Sequence, residues 1–342
     1  MKILLVQTSF LGDTVLSTPL IYSIKARHPH SRLWMMVRPE SAELVKRDPL
    51  LEGVIVFDKY GSDSGTRGLL AMAARIRKFG FDLAYVLHRS ARTAALMRLA
   101  GVPERIGFER ARLSFLYTAK RSGRELDHEV KRNLAIIEDS DEEGELRLFP
   151  PVLEELSSES RAVLQRISAR YVVLFPGSAW ATKMWKWQGY REVARYFSQS
   201  GFAVLILGSG AEAKVCSAVS EGLNVHNLAG KIAVSDMLFL VSRAALVVCN
   251  DSVALHIASA LKIPCVAVFC ATSPKFGFGP WRNRAVVIEK QGLPCKPCSR
   301  HGGAACPLGT ETCMREVSHL QVIAAAEQLL GDNTNIGNSA SC

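Results

Sequence analysis

No apolar run in this 342-residue sequence approaches the roughly 18 residues that a helix needs to cross a bilayer. The N-terminal Met1-Lys2-Ile3-Leu4-Leu5-Val6-Gln7 is also too short for a signal peptide, whose apolar region takes about 7–15 residues. The loop that follows has one glycine, Gly12, where a dinucleotide site needs G-x-G-x-x-G, which counts against an NAD enzyme. Acidic residues are scarce over one long stretch. Arg67 to Arg124 holds 13 Lys/Arg against 3 Asp/Glu, a net +10 that equals the excess of the whole chain, 42 Lys+Arg minus 32 Asp+Glu. With 48% hydrophobic and 22% charged residues, a disordered, collagen-like or low-complexity chain is excluded. What is left is a cytoplasmic globular protein whose length predicts two domains, at roughly 100–200 residues each. Its charge calls for an acidic partner.

Nine cysteines fit that compartment as thiols. Cys249, Cys265 and Cys270 stand in apolar runs and read as small core residues. Cys295-x2-Cys298-x7-Cys306-x6-Cys313, with His301 inside it, has the flavour of a zinc ribbon without its standard spacing. Reduced thiols organising a loop are the preferred reading, with structural zinc as the alternative.

Short β-rich runs alternate with helical patterns. Ile3–Val6, Leu33–Val37, Val54–Phe57 and Leu83–Leu87 form a first series, with an amphipathic stretch at Leu69–Phe79. A second series runs through Tyr171–Phe175, Ala203–Leu207, Val225–Leu228, Leu246–Cys249 and Cys265–Phe269, with helices at Arg191–Gln199 and Ala254–Leu261. Such alternation predicts an α/β chain with parallel sheets covered by helices. The acidic stretch Glu138–Glu143 and Pro150-Pro151 read as the connection between two facing Rossmann-like domains with a cleft between them, 1–150 and 151–330. The polar residues 331–342 read as a disordered tail.

Ligands of open α/β sheets bind at the carboxyl ends of strands. After the first strand, Asp13 reads either as a helix N-cap or as a carboxylate able to take a proton from a nucleophile. After strand 171–175, Gly177 and Ser178 offer donors, and Lys183 and Lys186 place cations beside Trp180, Trp185 and Trp187. These indoles are expected to be buried against a helix. Gly208-Ser209-Gly210-Ala211-Glu212-Ala213 satisfies G-x-G-x-x-A, but no acidic residue closes the next strand. It reads as a tight turn, with Glu212 a favourable partner of the helix dipole or an acceptor for a ribose. Cys249-Asn250-Asp251-Ser252 ends a buried strand and opens a helix at once. Asp251 or Ser252 can cap that helix, whose N-terminus is a ready anion site, and His256 follows Ser252 by i, i+4.

Taken together these residues resemble glycosyltransferase family 9, the ADP-heptose:lipopolysaccharide heptosyltransferases, and the heptosyltransferase II branch more than the first enzyme. The resemblance covers nearly the whole chain. It rests on Gly12-Asp13 with Leu16-Ser17-Thr18-Pro19, Pro176-Gly177-Ser178 with Lys183-Met184-Trp185, Asn227-Leu228-Ala229-Gly230, and Asn250-Asp251-Ser252 with His256. Phe276-Gly277-Phe278-Gly279-Pro280-Trp281 and the Cys-rich block also look like this branch. The resemblance implies a glycosyltransferase-B fold, an ADP-heptose donor held mainly by the C-terminal domain, and an inverting displacement without a catalytic metal or cofactor. It implies Asp13 as the base that deprotonates the acceptor hydroxyl and Lys183 as the lysine that meets the donor phosphates. Ser178, Ser252 and His256 match pyrophosphate- and ribose-contacting positions; Glu212 and Asp251 fall in the donor-binding set. Val253 stands where many relatives have glycine, so its side chain must point away from a bound pyrophosphate.

The implied acceptor is a lipid A–Kdo inner core at the cytoplasmic face of the inner membrane, which suits the basic stretch. His88, Arg89 and Arg92, after strand 83–87, are the candidate acceptor contacts. A monomer is expected, with no nucleic-acid partner and no transmembrane segment. Two alternatives stay open: a family 9 transferase using another nucleotide sugar or acceptor, and a non-catalytic module that binds anionic surfaces or nucleic acid.

Overall fold

A computed structural model describes residues 1–122, 127–137 and 144–336, the side chains of 332–336 excepted. The chain divides into two compact units, Met1–Phe149 and Pro150–Cys342. The acidic stretch 138–143 lies outside the described residues.

The first unit contains strands β1 (Lys2–Val6), β2 (Arg32–Val37), β3 (Gly53–Val56), β4 (Leu83–Val86), β5 (Glu104–Phe108) and β6 (Ala119–Arg121). Its helices are α1 (Leu11–Leu16), α2 (Pro19–Arg27), α3 (Ala42–Val45), α4 (Gly65–Phe79), α5 (Ala91–Leu99) and α6 (Glu129–Leu134). The second unit contains β7 (Tyr171–Phe175), β8 (Ala203–Ile206), β9 (His226–Asn227), β10 (Leu246–Asn250), β11 (Cys265–Val268) and β12 (Ala285–Ile288). Its helices are α7 (Ser158–Arg166), α8 (Trp187–Gln199), α9 (Ala213–Ser220), α10 (Val234–Ser242), α11 (Val253–Ala260), α12 (Thr312–Arg315) and α13 (His319–Ile336).

The two sheets share one topology. Their orders are β3-β2-β1-β4-β5-β6 and β12-β11-β10-β7-β8-β9, with every pair parallel. In each, the chain steps outward from a central strand and then returns to its other side. This reversal leaves a crevice at the carboxyl ends of β1 and β4, and of β7 and β10, where doubly wound sheets bind ligands.

The central strands are buried on both faces, as parallel sheets require, so they read as continuous apolar runs. In α8, Tyr190, Val193, Ala194 and Phe197 recur at i, i+3, i+4 and i+7, and all four are buried. α4 ends on Gly80 at φ 63°, a left-handed backbone that glycine adopts without strain. Phe81 follows and packs edge-on against Trp34 at 5.4 Å.

Three strands fell outside the sequence pattern. The edge strand β6 and its neighbour β5 carry charged, partly exposed residues, and β12 is only half-buried. α8 starts at Trp187, four residues before the expected Arg191. Residues 331–336, expected in a disordered tail, instead continue α13; 337–342 lie outside the described residues. No helix among the described residues is long and apolar enough to cross a membrane.

A buried carboxylate ties α7 to α10. Asp236 Oδ2 accepts from the Ser157 N–H at 3.1 Å, the Ser160 hydroxyl at 2.7 Å and the Ser157 hydroxyl. Replacing one partner strands the others in a buried site. Asp236→Ala should lower stability by about 2–3 kcal/mol, read as a drop of several degrees in the melting temperature by calorimetry.

Candidate functional site

In the second unit the organising group is Asn250, the last residue of β10 and fully buried. Its Nδ2 donates to the carbonyls of Pro176 at 2.9 Å and Gly177 at 3.1 Å, on the loop after β7. Its Oδ1 accepts from the Trp185 N–H at 2.9 Å. One carboxamide thus fixes both ends of the segment that carries Ser178 and Lys183. Trp185 is buried, stacks at 5.0 Å on Tyr190 and donates its indole N–H to the Val317 carbonyl at 3.0 Å. Trp180 and Trp187 are each 38% exposed, so only one of the three indoles is covered as expected.

The next residue, Asp251, is 3% exposed. Its Oδ2 takes the Lys183 ammonium at 2.7 Å and the Thr272 hydroxyl at 2.6 Å. A buried carboxylate with two donors is held rigidly, and it holds the lysine in turn. Asp251 therefore does not cap α11, contrary to one sequence expectation. Ser252 occupies the N-cap position in extended backbone and makes no side-chain capping bond. The first turn of α11 thus carries no side-chain cap, and its positive dipole end is available to an anion. Val253 is the first helical residue, half-exposed, and His256 lies buried within the same helix.

Glu212 comes from the turn after β8. It reaches back to the Ser209 N–H at 2.7 Å and hydroxyl at 2.8 Å. The same carboxylate lies so close to Gly177 that a Cβ there would stand 2.3 Å from its Oε1. Only glycine allows this approach. Ser178, Lys183, Glu212, Asp251, Ser252, Val253 and His256 thus gather at the carboxyl ends of β7, β8 and β10.

The Cys-rich segment braces this group from outside. The Gly303 N–H donates to Thr182 Oγ1 at 2.8 Å, the Cys298 N–H to the Ala271 carbonyl at 2.8 Å, and the Lys296 ammonium to the Phe269 carbonyl at 2.7 Å. Lys186 pairs with Glu311 in the same segment. All described cysteines are free thiols, and backbone N–H groups around Cys306 pull its thiol below the usual range. Among the described residues no group of three or more His, Cys, Asp or Glu is assembled to hold a metal ion.

In the first unit the same crevice is lined differently. Asp13 is the third residue of α1, not its N-cap, yet it does accept a hydrogen bond from the helix start: its Oδ2 takes the N–H of the N-cap residue Phe10 at 3.2 Å. His88 Nδ1 is within 3.0 Å of both Thr8 Oγ1 and Thr93 Oγ1, which ties the end of β4 to the loop after β1. Burial, then Lys59 and Arg38, push its pKa down to about 4. At neutral pH His88 therefore offers an uncharged hydrogen-bonding edge. Arg92 is turned inward as well. It donates to the carbonyls of Asp63 at 2.5 Å and Gly65 at 2.8 Å and lies over Phe57 at 5.5 Å. These bonds tie it to the 58–65 loop, and it remains partly exposed. Arg89 lies half-buried over Phe108 at 4.9 Å.

Two cations at this edge escaped the sequence reading. Arg38, after β2, stacks on Phe10 at 5.8 Å and Tyr60 at 4.9 Å. Lys59, after β3, donates to the Thr8 carbonyl at 2.6 Å, and burial beside Arg38 brings its pKa down to about 8. The only signal for either was its place just past a strand end.

Two parallel sheets of one doubly wound topology, with an anion cradle on the second, define a glycosyltransferase-B fold. Residues 69–307 match the family described as glycosyltransferase family 9 (heptosyltransferase). The chain belongs to that family. It is 28% identical over 315 residues to lipopolysaccharide heptosyltransferase 2 of Escherichia coli K12, covering 84% of this chain and 88% of that one. It is 26% identical to lipooligosaccharide heptosyltransferase 2 of Campylobacter jejuni, covering 96% and 98%. In structure it is similar to a family 9 glycosyl transferase of Veillonella parvula, with a TM-score of 0.82 at 23% identity over 97% of each chain. It is also similar to the E. coli ADP-heptose heptosyltransferase II, with a TM-score of 0.78 at 23% identity over 98% and 100%.

Two outcomes follow. Asn250→Leu leaves the Trp185 N–H and two carbonyls without their partner, and should lower stability by about 2–3 kcal/mol in urea melts. For His88, the folded pKa near 4 lies below the ordinary 6.5, so the unfolded chain binds the proton first. Stability linked to the neutral ring is complete above 6.5 and is lost as pH falls towards 4. His88→Gln should shrink the stability difference between pH 7 and pH 4.5 by about 1 kcal/mol, measured by urea melts at both.

Proposed function

We propose that this chain is a heptosyltransferase of the lipopolysaccharide core that moves heptose from ADP-L-glycero-D-manno-heptose to a heptosyl-Kdo-lipid A type acceptor. The observation that carries the reading is the Lys183–Asp251 pair beside the uncapped start of α11. A leaving ADP gains negative charge as its bond to the sugar breaks, and fixed cations and amides aimed at it lower that barrier.

In this reading the 151–330 portion holds the nucleotide sugar. Ser178, Ser252 and the first amides of α11, Val253 included, take the diphosphate. Glu212 and His256 serve the ribose side, and Asp251 steers Lys183. The 1–150 portion receives the acceptor. Asp13 takes the proton of the attacking hydroxyl, whose oxygen bonds to the anomeric carbon as the bond to the β-phosphate oxygen breaks. Attack opposite to the leaving group inverts the configuration, in a displacement that draws on no metal or cofactor. Arg38, Lys59, Arg89 and Arg92 supply positive charge towards the carboxylates and phosphates of the inner core, with His88 as a neutral donor or acceptor. The enzyme works as a monomer at the cytoplasmic face of the inner membrane.

The test is incubation with ADP-heptose and truncated lipopolysaccharide, read by mass spectrometry of the product. Wild type should extend the core by one heptose. Asp13→Asn should lose at least about a thousandfold in rate while binding ADP as before. Absence of transfer by wild type rejects the activity; undiminished transfer by the variant rejects the base.

A further inference from the structure

The loop between β5 and β6 is built to show apolar side chains to the outside. Ala111 at one end and Tyr117 at the other are buried at 8% and 5% exposure, and the Tyr117 ring lies against Gly107. The Arg112 N–H donates to the Arg89 carbonyl at 3.1 Å, and Arg105 Nε to the Leu116 carbonyl at 2.9 Å. Between these anchors Ser114–Leu116 forms a tight 3-10 turn closed by Leu116 N–H to Leu113 carbonyl at 3.0 Å. Leu113 sits at φ 57°, a left-handed backbone that a branched side chain rarely adopts. The result is Phe115 at 72% exposure beside Leu113 at 40%, on a loop pinned at both ends.

The loop's own charge is of one sign. From Arg110 to Ser122 the chain has four basic residues, Arg110, Arg112, Lys120 and Arg121, and no acidic one, with the exposed Glu109 at its base. Arg110, Arg112 and Lys120 are exposed. Exposed apolar tips flanked along the chain by basic residues match the boundary of an anionic bilayer, where rings enter the acyl edge and guanidinium groups meet phosphate.

We propose that Leu113 and Phe115 insert into an anionic phospholipid surface while Arg110 and Arg112 meet its headgroups, so that the first unit docks on the membrane through this loop. This deepens the glycolipid reading above, yet its test needs no turnover. The full chain is sedimented with vesicles of phosphatidylcholine, alone or mixed with phosphatidylglycerol. Wild type should bind the mixed vesicles, with little binding to the neutral ones and a loss at high salt. Leu113→Ser with Phe115→Ser, and separately Arg110→Glu with Arg112→Glu, should each lower the partition at least about tenfold. Phe115→Trp should keep the binding and add emission that brominated lipids quench, compared with wild type. Wild type left in the supernatant, serine variants that bind undiminished, or added indole emission that the brominated lipids leave unquenched would overturn the proposal. So would serine variants that lose transfer to a lipid-free core oligosaccharide, because the loop would then be an acceptor subsite. Vesicle binding without any transfer would uphold the docking loop and count only against the transferase reading.

Discussion

A parallel sheet wound outward in both directions from its middle leaves two central strands whose following loops part company. Both sheets of this chain have that topology, and both place their chemistry in the resulting gap. Backbone groups at the gap cannot all be paired by the sheet, so side chains must complete them. In the second unit this falls to Asn250, whose carboxamide binds two carbonyls of one loop and an N–H further along it. In the first unit His88, Thr8 and Thr93 make the corresponding link. These polar ties are what turn two strand ends into a site.

Electrostatics differ between the two gaps for a physical reason. In the second, the Lys183 charge is balanced by a buried carboxylate and placed beside a helix start. Its position is thereby fixed without a large cost of burying an isolated ion. In the first, Lys59 and His88 are partly buried beside Arg38, and each has its protonated form disfavoured. Burial and neighbouring positive charge both disfavour another cation there.

Much of this was legible from residue patterns. The apolar runs named the central strands, because strands buried on both faces cannot tolerate polar residues. The strand-end motifs named Ser178, Lys183, Glu212, Asp251, Ser252 and His256. β5, β6 and β12 were not legible, since strands at or next to a sheet edge need no continuous apolar run. Asp13 bonds the helix start from inside the first turn and not from the N-cap, and capping was misread at Asp251, because which of several polar neighbours turns towards a helix start depends on competing partners. Asp251 is claimed by Lys183 and Thr272, the latter 21 residues away. Arg92 is claimed by carbonyls nearly 30 residues away.

The sequence by itself determined the class of fold, the family and the residue types that gather at the strand ends. These depend on local periodicity and on short motifs, which are properties of neighbouring residues. Only the tertiary structure decided which cations turn outward and which turn to the protein itself. The basic stretch Arg67–Arg124 has one uniform excess of charge in the sequence. Folded, Arg92 and Arg105 are turned to backbone carbonyls and Arg89 is set over a ring, while Arg110 and Arg112 surround an exposed apolar turn. A guanidinium's task is set by what surrounds it in space, and those neighbours come from distant parts of the chain.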